Sequence, residues 1–477
     1  MINCVSVDED LDKVESDAEE DEVFKTDPTI SHPQVSSNFS FVVVMVGLPA
    51  RGKSYIARQI SKYMNWLGVQ TEVFNAGEYR RKILGPGQKY EFWDTNHKEN
   101  YSMRKKISYT ALADLIQWLQ EHKSQQKCAI FDATNSTRAR RSTILKKLGR
   151  ANIPKHRVIF VESICNDPKI LNRNIMDIKI KSYDYQEATS EEAKEDFLSR
   201  IKTYEEVYQT IEDRFDSEMS YIKMVEVGKK FVMNKIGGYI PGRITSLLMN
   251  SHITPRTILL SRHGESEDNT KGLLGGDSQL SPRGRAYAKV LSEFITEQHE
   301  LRRNYDYLSF NNITVWTSTM KRTMMTSSQI PYDKLQWRQL DEIDAGICEG
   351  MTYAQVEESM PKEFAARQAD KFGYPRGESY HDMIYRIEPT LMELERQREP
   401  VLIIGHQAVN RVIYAYLMGK KPIDCVEIPI PLHTVMEILP NAYGATEKRY
   451  DLNDRVDKEL IKMLERGEID HIPKQSH

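Results

Sequence analysis

The stretch FVVVMVGLPARGKSYIARQI, beginning at Phe41, constrains the fold of this chain more than any other. A continuous run of apolar, mostly β-branched residues cannot alternate between core and solvent. FVVVMV therefore reads as a strand buried on both faces, the habit of parallel sheets. The loop Gly47-Leu48-Pro49-Ala50-Arg51-Gly52-Lys53-Ser54 follows at once, and Ile56, Ile60, Met64 and Leu67 then recur at helical spacing. Strand, G-x-x-x-x-G-K-S and helix form the setting in which backbone N–H groups and a helix N-terminus cradle phosphate. Gly47 to Tyr55 is thus a candidate nucleotide cradle. Lys53 is placed for the β- and γ-phosphates, and the Ser54 hydroxyl for Mg²⁺.

The pattern that follows keeps alternating. A strand is expected from Thr71 (TEVFNAG), a helix through Ala111 to Glu121, and buried strands at CAIFDAT and HRVIFVES. A polar-faced helix is expected from Glu191 to Phe215, with Phe197, Ile201, Tyr204, Tyr208 and Ile211 inward, then a short strand at YIKMVEV. Alternating β and α elements imply an α/β fold, a mostly parallel sheet covered on both sides. Asp132, closing AIFDAT, sits where a second metal-facing carboxylate belongs. A guanine-nucleotide switch would carry N-K-x-D, but the nearest match, Asn234-Lys235-Ile236-Gly237, lacks the aspartate. Arg80 and Arg81, Arg104 to Lys106 and Arg138 to Arg141 supply cations for a second, anionic substrate, since arginine matches phosphate bidentately.

Near residue 250 a second α/β series begins with RTILLSRHGES. Arg262, His263 and Gly264 end its first strand, and a neutral imidazole attacks phosphorus well when a cation neutralises the incoming phosphate. Arg322 in TSTMKRT is a second clamp, Glu342 in LDEIDAG a candidate acid, and His406 in IIGHQAV a second histidine after a buried strand. One half therefore carries the parts for adding a phosphoryl group, the other those for removing one.

Residues 1–38 are acidic, then Ser/Thr/Pro-bearing, without helical or strand period. They read as a disordered tail able to take phosphate from regulatory protein kinases. The domains are read as 39–250 and 251–445, with 446–477 a peripheral helix or tail. The 66 basic and 69 acidic residues give a net charge of −3, which offers nothing to a nucleic acid or membrane through global charge. The apolar runs are too short to cross a bilayer. The start of the chain lacks the basic end and apolar core of a secretory signal. Five scattered cysteines suit a reducing compartment, and a cytoplasmic location is expected.

The blocks GLPARGKSYIA, FNAGEYRR, IFDATNSTRARR, FVESICNDP, RHGESEDN, GGDSQLS, TSTMKRT, LDEIDAGICEGMTY, GESYHDM and GHQAVNRVIYAYL together resemble the 6-phosphofructo-2-kinase/fructose-2,6-bisphosphatase family from about Phe41 to Tyr443. The resemblance implies a P-loop kinase domain followed by a phosphoglycerate-mutase-like histidine-phosphatase domain. It also implies ATP and Mg²⁺ as cofactors and a homodimer formed through the kinase halves. The first half would phosphorylate the 2-hydroxyl of fructose 6-phosphate, and the second would remove that phosphate from fructose 2,6-bisphosphate through a phosphohistidine on His263. The pair of reactions would set glycolysis against gluconeogenesis. By the same resemblance Cys165, Asn174 and Lys179 lie near the nucleotide, and Arg80, Arg81, Arg104, Thr134, Arg138, Arg200 and Tyr204 near the sugar phosphate. Asn269, Gly275, Tyr353, Arg367, Lys371, Gln407 and Arg411 belong around the second substrate. Lys181 and Tyr183 depart from the glycine and proline common in relatives. A polynucleotide kinase-phosphatase is disfavoured by the near-neutral charge and by RHGE. A vestigial scaffold is disfavoured by intact Lys53, Asp132, His263 and Glu342.

Overall fold

The structure, a computed structural model, describes residues 40–471 except 89, 95–96, 122–125, 177–183, 185–188, 253–255, 303–311, 374–376 and 442–443. The N-terminal tail and Lys179, Lys181 and Tyr183 lie outside the described residues.

Six strands build the first sheet: β1 (Ser40–Val46), β2 (Gln70–Asn75), β3 (Lys127–Asp132), β4 (Val158–Ile164), β5 (Ser220–Val225) and β6 (Lys230–Asn234), in the order β2-β3-β1-β4-β5-β6. All neighbours are parallel except β5 and β6. The central strand β1 shows why its sequence does not alternate. Val43 and Met45 pack with Ile56, Ile60 and Met64 of the helix Lys53–Trp66, whereas Val42, Val44 and Val46 join Leu112 and Leu115 of the helix Lys98–Gln120 on the opposite face.

The second sheet contains β7 (Ile258–Arg262), β8 (Thr314–Thr317), β9 (Lys334–Gln336), β10 (Val401–Gly405), β11 (Thr434–Asn441) and β12 (Gly444–Asp451), in the order β12-β11-β7-β10-β8-β9. Strands β7 to β10 pair in parallel, and β11 and β12 run antiparallel at one edge. The boundary read at 445 thus falls inside β12. The helix Asn453–Glu465 buries Val456, Leu460 and Met463 against Val290, Leu291 and Phe294, so the charged C-terminal stretch is part of the domain's core packing.

The long helix read from Glu191 to Phe215 is corrected. It runs Ser190–Glu205, opened by a capping box at Thr189 and Glu192. Beyond it the buried carboxylate of Glu162 on β4 draws in the chain, accepting from the hydroxyls of Tyr208 and Thr210 and the N–H of Ile211. A buried charge needs such donors, and satisfying it overrides the helical period.

The two halves share one apolar cluster, in which the helix Tyr239–Asn250 and the helix Lys53–Trp66 meet the helices Tyr380–Arg396 and Gln407–Met418. Two carboxylates of Tyr380–Arg396 enter this junction. Glu388 accepts from Tyr63 and, at 2.7 Å, from Arg243. Glu395 pairs with Arg256 at 3.1 Å and Lys62 at 3.6 Å, and takes the Tyr416 hydroxyl at 2.8 Å. Burial alone would raise the Glu395 carboxyl, but Lys62 and Arg256 outweigh it and bring it down to about 2.

Candidate active sites

The first site lies at the carboxyl ends of β1, β2 and β3, where ligands of open α/β sheets gather. Gly47 (φ +136°) leaves no room for a side chain, because a Cβ would stand 2.6 Å from the Ser163 carbonyl oxygen; its N–H donates to Thr134 O at 3.0 Å. Gly52 (φ +83°) caps the helix Lys53–Trp66 and turns its N-terminus toward the cavity. Lys53 Nζ donates to Leu48 O at 2.6 Å, which holds the ammonium over the loop. Pro49, Ala50, Gly52, Lys53, Ser54, Tyr55, Thr134 and Asn174 line a cavity of about 820 Å³.

Arg51 turns away from the cavity, toward Glu205 at 3.5 Å, and the Ser163 hydroxyl donates to its carbonyl at 2.5 Å. Cys165 is buried, and burial pushes its thiol up.

Asn75, at the end of β2, was not singled out by sequence reading. Its side chain donates to the Asp132 carboxylate and, at 3.5 Å, to Ser54 Oγ, so one amide orients both candidate metal oxygens. Among the described residues no three His, Cys, Asp or Glu side chains cluster as a metal cage. A hydroxyl and a carboxylate beside phosphate-binding amides instead fit Mg²⁺, which keeps several waters and takes phosphate oxygens.

The acceptor end of the cavity is organised by Trp93, also missed. The guanidinium of Arg200 stacks 3.5 Å from its ring centre, Arg80 lies 5.5 Å from it, and Arg104 donates to its carbonyl. Tyr204 leans on the same ring at 6.1 Å. Arg80 and Arg81 also reach Asp184, at 2.5 and 3.6 Å. No pattern of spacing marks Trp93, because the residues it gathers come from three separate helices. Arg138 is placed differently from its expectation. It stacks on Phe215 at 3.7 Å and pairs with Glu212 at 3.2 Å, while Arg140 lines the cavity. Arg141 is fully buried against Asp216, which removes it from the basic run ahead of Ser142.

The second site stands at the ends of the adjacent parallel strands β7 and β10, joined there by His263 N–H to Gly405 O at 3.0 Å. His263 Nδ1 donates to the Gly264 carbonyl at 2.7 Å, which leaves Nε2 as the bare nitrogen. Arg322 Nε lies 3.2 Å from His263 Nε2 and 3.2 Å from His406 Nδ1, so one N–H bridges the two rings. His406 Nε2 faces Ser318 Oγ at 2.8 Å, giving it the opposite tautomer. Burial first, then Arg322 and Arg262, hold His263 well below the usual imidazole range. Burial, His263 and the same arginines do so for His406. Both rings are therefore neutral at pH 7. Gly264 is required because a Cβ there would meet Gly284 O at 2.6 Å.

Glu342 accepts N–H groups from Ile343 at 2.9 Å and Gln407 at 3.1 Å, the latter being the first residue of the helix that follows His406. Burial lowers the Arg262 guanidinium to about 10, and one of its N–H groups is held by Ile430 O at 3.2 Å. Arg411 donates to Ile428 O and Tyr380 Oη. The Asn269 side chain caps its own helix at Ser266 N. At Gly275 a Cβ would overlap Glu349. Tyr353 and Arg367 pair at 3.1 Å, and Lys371 meets Glu427 at 3.0 Å, both on exposed ground. A third buried histidine, His433 (φ +56°), was not anticipated. Its Nε2 takes the Glu265 N–H at 3.5 Å while Nδ1 faces Asn453 at 3.2 Å, which ties the C-terminal segment to the nucleophile loop.

Residues 29–255 match the 6-phosphofructo-2-kinase family and residues 258–453 the histidine phosphatase superfamily (branch 1). The chain is 45% identical over 421 residues to 6-phosphofructo-2-kinase/fructose-2,6-bisphosphatase 4 of Homo sapiens, a match that covers 87% of this chain and 86% of that protein. It is likewise 45% identical over 427 residues to 6-phosphofructo-2-kinase/fructose-2,6-bisphosphatase 1 of Mus musculus, covering 89% and 86%. Two phosphate sites in this order on one chain, together with relatives matched along nearly their whole length, place the protein in the 6-phosphofructo-2-kinase/fructose-2,6-bisphosphatase family.

Proposed function

We propose that the chain makes and destroys the 2-phosphate of fructose 2,6-bisphosphate at two separate sites, in the cytoplasm and as a homodimer. The observation that carries the hydrolytic half is Arg322 Nε, 3.2 Å from both His263 Nε2 and His406 Nδ1. A phosphoryl group arriving at His263 Nε2 meets the guanidinium as it forms the N–P bond. The bond to the sugar oxygen breaks, and Glu342 delivers the proton that oxygen needs. Water then attacks the phosphohistidine, with Glu342 taking the proton back. Arg262 and His406 stabilise the charge in transit.

In the synthetic half the 2-hydroxyl of fructose 6-phosphate attacks the γ-phosphorus of ATP, the bond from that phosphorus to the bridging oxygen breaks, ADP leaves, and the hydroxyl proton is released to solvent. Lys53 and the amides of Gly47 to Ser54 hold the nucleotide phosphates, and Ser54 and Asp132 would hold Mg²⁺, which when bound neutralises charge between the β- and γ-phosphates. Arg80, Arg104, Arg140, Arg200 and Tyr204 receive the sugar phosphate. Strand β6, last in its sheet and bearing the exposed Met233, is the face assigned to the second copy.

Both reactions are assayed in wild type, Lys53→Met and His263→Ala. Lys53→Met loses synthesis and keeps hydrolysis; His263→Ala does the reverse. Absence of ATP-dependent fructose 2,6-bisphosphate formation in wild type would sink the kinase assignment. Absence of label from the 2-phosphate on His263 would sink the covalent route.

A further inference from the structure

We infer that Asn135 is a positioning residue that sets the distance between the nucleotide loop and the acceptor's phosphate clamp. It lies in the connection between β3 and the helix Arg138–Arg150, is fully buried, and has φ +42°. Its Nδ2 donates to Met45 O at 2.7 Å, on the next-to-last residue of β1 before the phosphate loop, and its Oδ1 accepts Arg140 Nε at 2.9 Å. One residue earlier, Thr134 O takes the Gly47 N–H at 3.0 Å. The connection is thus fastened at Met45 of β1 and at Gly47, and the Arg140 guanidinium, on the first turn of the helix that follows and with its other arm on Ser108, reaches the cavity.

The chemistry leaves little freedom at this position. A carbonyl oxygen can only accept and a guanidinium N–H can only donate, so the residue must offer a donor on one side and an acceptor on the other. The left-handed backbone adds a second demand that asparagine meets better than most side chains. Aspartate would turn a carboxylate oxygen on Met45 O, and glycine would keep the backbone while dropping both bonds. Asn174 Nδ2 donates to Ala50 O at 3.0 Å and holds the nucleotide loop without Asn135, so the effect of Asn135 belongs to the acceptor. This inference rests on the reading that Arg140 grips the sugar phosphate.

The test uses the full chain, with KM for fructose 6-phosphate, KM for ATP and bisphosphatase turnover measured on each preparation. Arg140→Ala is expected to raise the fructose 6-phosphate KM about tenfold or more. Asn135→Gly should raise it about tenfold with the ATP KM within about twofold and hydrolysis unchanged, and in the Arg140→Ala background it should add less than about twofold. Independent, multiplying effects of the two substitutions would overturn the positioning role while leaving Arg140 as a substrate contact. An unchanged KM in Arg140→Ala would overturn the underlying reading as well. If Asn135→Gly also lost hydrolysis, Asn135→Asp decides: it keeps the acceptor for Arg140 but loses the donor to Met45 O, so a fructose 6-phosphate KM raised about tenfold with hydrolysis kept supports the inference, and a KM within about threefold of wild type defeats it.

Discussion

The two sites handle the same kind of phosphate in opposite physical settings. The nucleotide half offers a cavity of about 820 Å³ whose cations are fixed by aromatic stacking and backbone carbonyls, with Arg200 on the Trp93 ring and Arg104 on its carbonyl. The hydrolytic half offers neutral rings, with His263 2% and His406 0% exposed, linked by a single arginine N–H. A site that binds a donor and an acceptor needs volume and permanent charge. A site whose own side chain becomes the phosphoryl carrier needs a bare imidazole nitrogen, and burial supplies it by disfavouring the protonated ring. The difference shows how one chain can tune opposite reactions independently while sharing a core.

The sharpest way to break that independence is Arg322→Ala. It removes the bridge between the histidines, and hydrolysis should fall on the order of 10⁴-fold, the scale of a transition-state arginine. Synthesis should stay within about twofold. A matching loss of synthesis would mean that the two sites are not separate. Glu395→Gln acts on what they share. It leaves Arg256 and Lys62 without their buried counter-charge at the junction, a loss of about 3–5 kcal/mol, so thermal inactivation of both activities should shift down together. Separate shifts for the two activities would show that the halves unfold independently.

Acidification should destabilise the fold through the buried histidines of the hydrolytic half. His433 is held neutral mainly by burial, down to about 4, and His263 and His406 lie well below their usual value for the same first reason. The unfolded chain takes up these protons as the pH drops below about 6.5, while the folded chain does not. Stability contributed by the neutral rings is therefore full above that pH and is lost as pH falls toward the folded values, on the order of 3 kcal/mol for His433 by pH 4. Equilibrium unfolding at pH 7, 6 and 5 checks this. His433→Gln should flatten the dependence, and an unaltered slope would count against the imidazole as its source.

Much of this arrangement was legible because it is local. The run FVVVMV, the glycine loop and the helical spacing behind it lie within one stretch of chain, and RHG and His406 each end a strand whose apolar run is plain. Trp93 and Asn75 were not legible, since a tryptophan or asparagine carries no pattern and each acts on residues delivered by other elements. The boundary at 445 cut β12 for a related reason, although a helix was expected beyond it. β12 alternates exposed and half-buried residues at a sheet edge, so its charges mask its pairing with β11. Tyr208 and Ile211 fit a helical period, but the buried Glu162 carboxylate had first claim on that backbone.

The basic run RARRS after Thr137 makes the smallest and most local case. Charge composition treats Arg138 and Arg140 alike, yet two steps along a helix turn a side chain by about 200°. Arg138 therefore points outward to Phe215 and Glu212, and Arg140 inward to Asn135, Ser108 and the cavity. Arg138→Ala should change the fructose 6-phosphate KM by less than about twofold, because its side chain is spent on Phe215 and on an ion pair with Glu212 at the surface, worth at most about 1 kcal/mol. The measurement is a saturation curve at fixed ATP beside that of Arg140→Ala. A larger effect for Arg138 than for Arg140 would reverse the assignment of the helix face, and with it the claim that the nucleotide half fixes its cations from inside the fold.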